Sequence, residues 1–389
     1  MSPEFSLTAI CCRWPLSDEH APAIRAAAQE VSDWDRFLRL VKHHRVAMQV
    51  RRALRLANVE LSSTTADELD LLVKPRVHRG LRLAFEAVRL QNLLTGAGIP
   101  SLVLKGVALE QLAYGALGAK QTRDVDCLVP PEHAEAALAF LEREGYTLWL
   151  PAAALSTMQR RAVIRFGREV EVIAPGTKLR VELQWRLADN PALLSGIDAR
   201  APTQTVTLSE GASIRTLAPD DLFAYLCVHG ARHCWSRLKW LADLNALIAA
   251  TDADVEHLYR HAQKAGAGYC AGQALLLCER LFGFKLPGGL ARELHADKRC
   301  RKLVDIAMAA MTTTSGEGDV GFGGVVRGLR NQFLLGRSFA FYAAQCRLAY
   351  AGVADIVRLP LPRPLHFLYP LLRLPLWLWR RAKLAFAPL

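Results

Sequence analysis

The sequence of 389 residues contains nine cysteines, but it lacks the regularly spaced cysteine pairs that bind metals or form disulfide frameworks. None are spaced as C-x-x-C: Cys11 and Cys12 are adjacent, and the others stand singly in apolar surroundings. This pattern excludes a zinc ribbon and a disulfide framework, because both need cysteines at regular short spacings. An odd number of scattered cysteines is typical of the reducing cytoplasm, where we expect this protein to be located.

Targeting and membrane signals are also missing from the sequence. The N-terminal segment has no basic stretch followed by a long apolar one, so we expect no signal peptide. No run of about 20 apolar residues without charges occurs, so we expect no membrane-spanning helix.

Acidic residues are fewer than basic residues, 37 against 49, and the formal net charge is +12. Such a balance favours polyanionic partners such as nucleotides, nucleic acid or anionic lipid. Arginine scattered over a solvated surface gives the same balance, so the charge alone identifies no partner. Apolar residues make up 51% and charged residues 22% of the chain, which is typical of a folded globular protein.

The hydrophobic pattern divides the chain into four parts. Helical spacing of apolar residues predicts an N-terminal helical region over residues 1–95. Short apolar runs that alternate with helical segments, and a hairpin around Pro175-Gly176, predict a small α/β core over 96–217. A C-terminal helical domain is predicted over 218–355, and 356–389 form a tail rich in proline, aromatics and arginine. The predicted fold class is α+β, mostly α-helical, with a small mixed sheet.

The stretch "RDVDCLV", residues 123–129, places two aspartates inside an apolar run. In a strand, side chains two positions apart share a face, so Asp124 and Asp126 project together while Val125 points to the core. Two buried carboxylates side by side are costly without a partner, and a divalent cation removes that cost. Mg²⁺ binds such carboxylates together with phosphate oxygens. A D-x-D pair alone is common in turns and solvated strands, so the interpretation depends on its neighbours.

Those neighbours include groups that could bind a nucleotide. Glu182, in the alternating stretch "RVELQW", is predicted on an adjacent strand and would complete a carboxylate set for two metal ions. Lys105 and Gly106 lie at a predicted strand-to-helix turn, where glycine lets the backbone approach a phosphate. Lys120 and Arg123 precede the aspartate pair and add positive charge. A positive rim around an acidic metal centre suits a triphosphate.

The stretch "IPSLVLKGVALEQLAYGALGAKQTRDVDCLV", with the later "EGYTL" and "VELQW", resembles the uncharacterised bacterial nucleotidyltransferase family of the polymerase-β-like superfamily. In that family a similar LKG block precedes a tyrosine, a basic residue, a D-[IV]-D strand and a later [ED]-L-H-W. The resemblance covers roughly residues 30 to 250. It implies a nucleotidyltransferase fold, an NTP and Mg²⁺ or Mn²⁺, and it maps the acidic positions to Asp124, Asp126 and Glu182.

The basic position of the family corresponds to Lys120 or Arg123, and two other positions depart from the pattern. The wider superfamily usually has Gly-Ser after its first strand, whereas this chain has Lys105-Gly106-Val107. We therefore expect this chain to bind phosphate through different contacts. The family's common histidine is Gln184 here, so a role for that histidine as base or ligand has no counterpart in this chain.

These features predict an enzyme that transfers a nucleoside monophosphate from an NTP, with ATP expected, by two-metal catalysis. Asp124, Asp126 and Glu182 are the predicted catalytic and metal-binding residues. The alternative is a nucleotide-binding or regulatory protein that keeps the fold without turnover, but the intact acids favour the enzyme. The acceptor stays open among a small molecule, a peptide, a protein and RNA.

The segment "CVHGARHCW" places His229 and His233 one helical turn apart on the same face. Zinc could use such a pair. No further pair of ligands follows at a standard spacing, so packed histidines near the active site are favoured. Trp235, Trp240 and Asp243 follow closely and could close over the nucleotide, although Asp243 could equally be a surface acid.

The tail from Pro364 onward combines aromatic residues with arginines. It is too short and too interrupted by proline to span a bilayer. An apolar tail of this size is hazardous in water, so we expect it to be covered. Packing on the protein's own body is favoured, with a groove on a partner protein or an anionic membrane surface as alternatives. The last alternative would make the protein peripheral at the membrane.

Overall fold

The computed structural model describes residues 1–251, 254–312, 322–350, 353–359, 361–369, 371–372 and 375. Helices dominate and surround a five-stranded mixed sheet, and a two-stranded hairpin forms separately. The predicted fold class, α+β and mostly α-helical, is therefore confirmed. Within these ranges no helix has the length and apolar character that crossing a membrane requires.

The N-terminal part of the chain is helical throughout. Asp33 begins the third helix as its cap, because its side chain accepts a hydrogen bond of 2.7 Å from the backbone N–H of Arg36. Arg45 ends that helix in the left-handed conformation, with φ 58°. The helices are α1 (Pro3–Ile10), α2 (Ala21–Gln29), α3 (Trp34–His44), α4 (Ala47–Leu56) and α5 (Ser63–Gly96).

The central sheet has the strand order β1-β2-β5-β4-β3. Strands β2 and β5 are parallel, and the other neighbouring pairs are antiparallel. The predicted hairpin around Pro175-Gly176 is confirmed as β4 and β5. The sheet and its helices are β1 (Leu102–Val103), α6 (Val107–Tyr114), β2 (Asp124–Leu128), α7 (Ala134–Arg143), β3 (Thr147–Leu150), α8 (Thr157–Phe166), β4 (Glu169–Ile173) and β5 (Arg180–Gln184).

The two faces of this sheet differ in chemistry. One face carries the buried side chains of Val125, Cys127, Val181 and Leu183, which pack in one apolar cluster with residues of α5 and α7. The opposite face carries the carboxylates of β2 and β5. Because side chains alternate along a strand, burying the apolar set fixes the carboxylates on the other face.

Helices resume after a second hairpin, which the sequence did not predict, formed by β6 (Thr203–Ser209) and β7 (Ala212–Leu217). Near Trp235 the chain breaks between two helices, and both Cys234 and Trp235 have positive φ there. The helices are α9 (Pro219–Arg232), α10 (Leu238–Thr251), α11 (Val255–Lys264), α12 (Gly268–Phe282), α13 (Gly288–Ala296), α14 (Lys298–Thr312), α15 (Phe322–Leu334), α16 (Phe339–Tyr350) and α17 (Val353–Arg358).

Only the first part of the predicted tail falls within the described residues. Tyr369 is buried, and its hydroxyl donates a hydrogen bond of 2.9 Å to the carbonyl of Leu359. The aromatic and basic residues from 376 onward lie outside the described ranges. Their expected covering therefore stays a prediction.

Candidate active site

The residues singled out in the sequence line one cavity of about 250 Å³ between the polar face of the sheet and helices α9 and α10. Both aspartates come from β2, and the third acid comes from the parallel strand β5. The structure therefore brings together the predicted catalytic and nucleotide-binding residues, namely Lys105, Gly106, Lys120, Arg123, Asp124, Asp126 and Glu182.

Strand register sets the three carboxylates side by side. Asp126 lies directly opposite Glu182, while Asp124 lies opposite Arg180. Asp126 is only 1% exposed, so its carboxylate is almost completely withdrawn from water. Burial first, and then repulsion by Glu182 and Asp124, raise the pKa of Asp126 well above its usual range against the opposing charge of Lys105.

Lys105 projects into this group of acids. Its ammonium contacts Asp126 Oδ1 and lies 3.6 Å from Glu182 Oε2. Burial disfavours the charge of Lys105, but the surrounding acidic groups, Asp126 foremost, outweigh it and raise the pKa well above its usual value. The sequence led us to expect Lys105 on a phosphate, whereas its ammonium is an internal counter-ion of the carboxylates here.

Glu182 is held in its ionised form. Burial opposes its charge, but its neighbours, the ammonium of Lys105 foremost, outweigh burial and lower its pKa below the usual value. Gln184 supports the same arrangement, because its Nε2 donates hydrogen bonds of 3.1 Å to both Asp126 Oδ1 and Glu182 Oε2. The residue that stands where the family has histidine is therefore an amide donor that fixes two carboxylates.

The donor set fits a hard divalent cation in its chemistry. Carboxylate oxygens are the ligands that Mg²⁺ prefers, and Asp126 Oδ2 is buried without a hydrogen-bond partner among the described residues. Among all residues that the structure describes, however, no group of three or more His, Cys, Asp or Glu side chains is arranged closely enough to hold a metal ion. Because the ammonium of Lys105 reaches Asp126 and Glu182, it competes with a cation for these oxygens.

Gly106 makes the turn from β1 to α6 possible. Its φ is 62°, a left-handed value that other residues rarely adopt. A Cβ at this position would lie 3.2 Å from both the carbonyl oxygen of Asp124 and Cγ2 of Thr122. The glycine thus lets the start of α6 approach the strand that carries the aspartates. The predicted strand-to-helix turn is present, and the contact with a phosphate stays a prediction.

Lys120 is buried and neutralised by another acid. Its Nζ lies 3.1 Å from Asp243 Oδ2, and its backbone N–H donates a hydrogen bond of 2.9 Å to Glu110. Tyr114 donates to the other oxygen of Asp243 over 2.9 Å. These contacts join the loop before β2 to α10, so Asp243 is a buried partner of Lys120 and not a surface acid.

The two histidines and one of the tryptophans line the same cavity. His233 and Trp240 stack with ring centroids 5.1 Å apart, and the His229 ring lies 5.0 Å from that of His233. Burial, with nearby positive charges, lowers the pKa of His229 well below its usual value. His233 is more exposed, and partial desolvation in the cavity together with the charge of Arg232 lowers its pKa in the same direction. Trp235 instead lies in the core, where its indole N–H donates to Gln273 over 3.2 Å.

Sequence reasoning missed several groups that line the cavity. Arg168 and Glu169 form an ion pair of 2.6 Å at the start of β4. Arg45, at the corner between α3 and α4, and Lys239, on α10, arrive from distant parts of the chain. Burial, followed by the charge of Lys120, lowers the pKa of Lys239 to about 7. Strand alternation could have indicated Glu169, but no local signal indicates Arg45 or Lys239.

The sheet thus presents carboxylates on adjacent strands, next to a glycine turn and a set of basic side chains. The model of a family described as uncharacterised nucleotidyltransferase matches residues 30–283. This match includes the sheet, all three acids and the helices that close the cavity. The chain therefore belongs to this nucleotidyltransferase family. No curated protein matches the sequence.

Proposed function

We propose that the protein transfers a nucleoside monophosphate from an NTP, with ATP as the expected donor, to an acceptor in a Mg²⁺- or Mn²⁺-dependent reaction. The observation that carries this proposal is the register of β2 and β5. It sets Asp126 opposite Glu182, with Asp124 one alternate position away on the same face. Membership of a nucleotidyltransferase family supports the same reaction class.

In this proposal, Asp124, Asp126 and Glu182 hold the divalent cations. A divalent ion would stabilise charge on the transferring phosphoryl group and lower the pKa of a bound hydroxyl. Glu182 suits this role because its lowered pKa keeps it ionised at neutral pH. Lys105 and the amide of Gln184 hold Asp126 and Glu182 in position.

Gly106 and Arg123 bind the phosphates of the donor. The glycine brings the first N–H groups of α6 next to the aspartate strand, and such groups bind anions. Arg123 lines the cavity immediately before Asp124 and offers a guanidinium fork. Lys105 and Lys120 contribute less net charge than the sequence suggested, because carboxylates already face both of them.

The test is pyrophosphate release by the purified full-length protein with each NTP in turn and Mg²⁺ or Mn²⁺. Asp124→Asn should reduce release at least about 100-fold, since metal-held charge stabilisation contributes several kcal/mol to such reactions. Glu171→Gln is the matched control, because Glu171 sits on the same face one strand further away. Equal release by the wild type and Asp124→Asn would refute the assignment of the centre.

One observation favours the alternative, a nucleotide-binding protein without turnover. The Lys105 ammonium already lies among the carboxylates that a cation needs. Such a protein would bind NTP in an equilibrium assay and release no pyrophosphate with any acceptor fraction. Supplying small-molecule, peptide, protein and RNA fractions in the release assay therefore separates the two functions and also searches for the acceptor.

We also propose a cytoplasmic location, supported by the nine cysteines, all of which are free thiols. For the tail we keep the three occupants predicted from its composition, which are the protein's own body, a partner protein and an anionic membrane surface. Comparing liposome binding and monodispersity of the full chain with a chain ending at Leu359 distinguishes them.

A further inference from the structure

The positive charge of the chain is concentrated near its C-terminal end. Residues 320–389 contain ten basic residues and one acidic residue, Asp355, which is buried. This stretch therefore carries a formal charge of +9 out of the +12 of the whole chain, although it is less than a fifth of the length. Such a concentration differs from basic residues scattered evenly over a surface, and it attracts an anionic partner to this part of the molecule.

Exposed apolar side chains are concentrated in the same stretch. Among the described residues, sixteen large hydrophobic side chains are exposed, and eight of them lie between positions 326 and 371. Four of the eight belong to α15 and to the start of α16, and one of these, Phe339, is 89% exposed. Single exposed apolar residues are ordinary, whereas several on one surface indicate an interaction with a partner or a membrane.

Helix α15 is fixed to the body of the protein by its inner face. Asn331 is buried, and its Nδ2 donates a hydrogen bond of 2.7 Å to the carbonyl of Ala231 in α9. The next residue, Gln332, donates one of 2.9 Å to the carbonyl of Arg232. These two bonds set the orientation of α15 about its own axis, so its opposite face is held towards solvent.

The outer face of α15 combines apolar and positive side chains. Val326, Leu329 and Phe333 are exposed and follow one another at intervals of three and four positions, which places them in one stripe along the helix. Arg330 is exposed on the same turns, and Arg337 is exposed in the short connection to α16. The helix therefore has the amphipathic composition, apolar residues beside arginines, of helices that lie in the surface of anionic membranes.

Charge disfavours an occupant supplied by the chain itself. The C-terminal tail carries Arg373, Arg380, Arg381 and Lys383 and no acidic side chain, so packing it over the arginines of α15 would bring like charges together. A second copy that used the same surface would bring identical arginines against each other. The surface of an anionic membrane supplies the opposite charge, and its fluid interior encloses protruding apolar side chains without a preformed groove.

We propose that the outer surface of α15 and the start of α16 binds membranes that contain anionic lipids. Its residues are Val326, Leu329, Arg330, Phe333, Arg337 and Phe339. The apolar side chains enter the boundary between headgroups and acyl chains, and the arginines bind the lipid phosphates. This binding requires neither a nucleotide nor turnover, so it stands apart from the proposed reaction.

Cosedimentation of the full-length protein with vesicles tests this surface. The protein should bind vesicles of equal parts phosphatidylcholine and phosphatidylserine, bind phosphatidylcholine vesicles weakly, and lose affinity as the salt concentration rises. Phe333→Ser and Phe339→Ser should each weaken binding to the anionic vesicles about 10-fold, because each removes one apolar side chain from the lipid. Arg330→Gln should weaken it about 5-fold, the effect of one basic residue near such a surface.

Two variants elsewhere on the surface serve as matched controls. Phe85→Ser removes a phenylalanine that is 72% exposed on α5, and Arg260→Gln removes an arginine paired with Glu293 on α11. Both should bind vesicles like the wild type. Weakening by the controls equal to that by the α15 variants would reduce the effect to overall hydrophobicity or net charge, and the proposal would fall.

Other occupants of this surface give different results. Equal binding to neutral and anionic vesicles, or binding to neither, would overturn the proposal. A lower Tm of Phe333→Ser without vesicles would show that the chain's own tail covers the stripe, because substitution of an exposed side chain should leave thermal unfolding unchanged. Self-association of the wild type that Phe333→Ser abolishes would assign the surface to a second copy. None of these measurements uses pyrophosphate release, so failure of the proposed reaction is recognised separately.

Discussion

Replacing Lys105 by methionine removes the internal counter-ion of the carboxylate centre. Its side chain is 16% exposed and that of Asp126 is 1% exposed, so water cannot take over the role of the ammonium. Breaking a buried ion pair by deleting one partner costs about 3–5 kcal/mol. Asp126 can limit this cost by taking up a proton, because burial and its acidic neighbours raise its pKa.

Protonation of Asp126 sets the size of the stability loss caused by Lys105→Met and the dependence of that loss on pH. A carboxyl group with an unfolded pKa near 3.9 costs about 1.4 kcal/mol per pH unit to keep protonated above that value, which is at most about 4 kcal/mol at pH 7 and about 1.5 kcal/mol at pH 5. A carboxyl group whose pKa is raised in the folded state costs no stability below its unfolded pKa, and the folded protein loses stability as pH rises above that value. The loss caused by Lys105→Met should therefore grow between pH 4 and pH 7.

The assay is urea unfolding of wild type and variant at pH 5 and pH 7, with and without Mg²⁺. Removing the ammonium leaves the carboxylates free to bind a cation, so Mg²⁺ should stabilise Lys105→Met more than the wild type. A free Mg²⁺ concentration 100 times Kd adds about 2.7 kcal/mol to the free energy of unfolding. Lys239→Met is the matched control, because Lys239 lines the same cavity but, among the described residues, forms no ion pair with Asp126 or Glu182. If Lys105→Met unfolds like the wild type at pH 7, or responds to Mg²⁺ no more strongly, Lys105 is not the counter-ion.

Three further predictions follow from the same geometry. Glu182→Gln should lower kcat more than it raises the KM for NTP, because Asp124 and Asp126 can still hold the triphosphate-bound cation. Steady-state pyrophosphate release measures both constants. An unchanged kcat with a raised KM would contradict this role of Glu182. Gly106→Ala should lower the free energy of unfolding in urea by about 1–2 kcal/mol, because of the left-handed φ of 62° and the two 3.2 Å contacts of the added Cβ. Gly176 has a φ of 64° with open space around its Cβ position, so Gly176→Ala should show only the part of this loss that is due to φ. His44 is buried with a pKa lowered to about 3. The unfolded chain therefore binds a proton below pH 6.5 that the native state refuses, and stability should fall by about 1.4 kcal/mol per pH unit from there towards pH 3. His44→Gln should flatten that part of the pH profile by the same amount, and an unchanged slope would show that His44 accepts the proton in the native state.

Strand alternation explains how much of the site the sequence predicts. The period of two along "RDVDCLV" places Asp124 and Asp126 on one face, and the alternating "RVELQW" does the same for Glu182. Apolar residues between the acids fix the opposite face in the core, so a slip by one residue would bury the charges. The β4–β5 hairpin and the glycine turn at Gly106 are local in the same sense, and both were predicted.

Partner choice among charged groups is not local, and the sequence predicts it poorly. Lys105 was expected on a phosphate and contacts Asp126, while Lys120 pairs with Asp243 from a helix over 100 residues later. Arg45 and Lys239 reach the cavity only because α3 docks beside the break between α9 and α10. That docking includes the hydrogen bond of 3.1 Å from the Leu238 N–H to His44 Nδ1. Such contacts depend on how helices pack, which hydrophobic periodicity alone leaves open.

Arginines and carboxylates are neighbours at one end of the two parallel strands. Arg123 directly precedes β2, which carries Asp124 and Asp126, and Arg180 precedes Glu182 on β5. Parallel pairing sets Arg180 opposite Asp124 and Glu182 opposite Asp126, so positive and negative side chains lie beside each other there. A polyphosphate carrying a divalent cation has the complementary order, with negative oxygens beside a positive ion. If the proposed function is correct, we therefore expect the cavity to bind the cation complex of the nucleotide more tightly than the free nucleotide, which a comparison of ATP binding with and without Mg²⁺ would check.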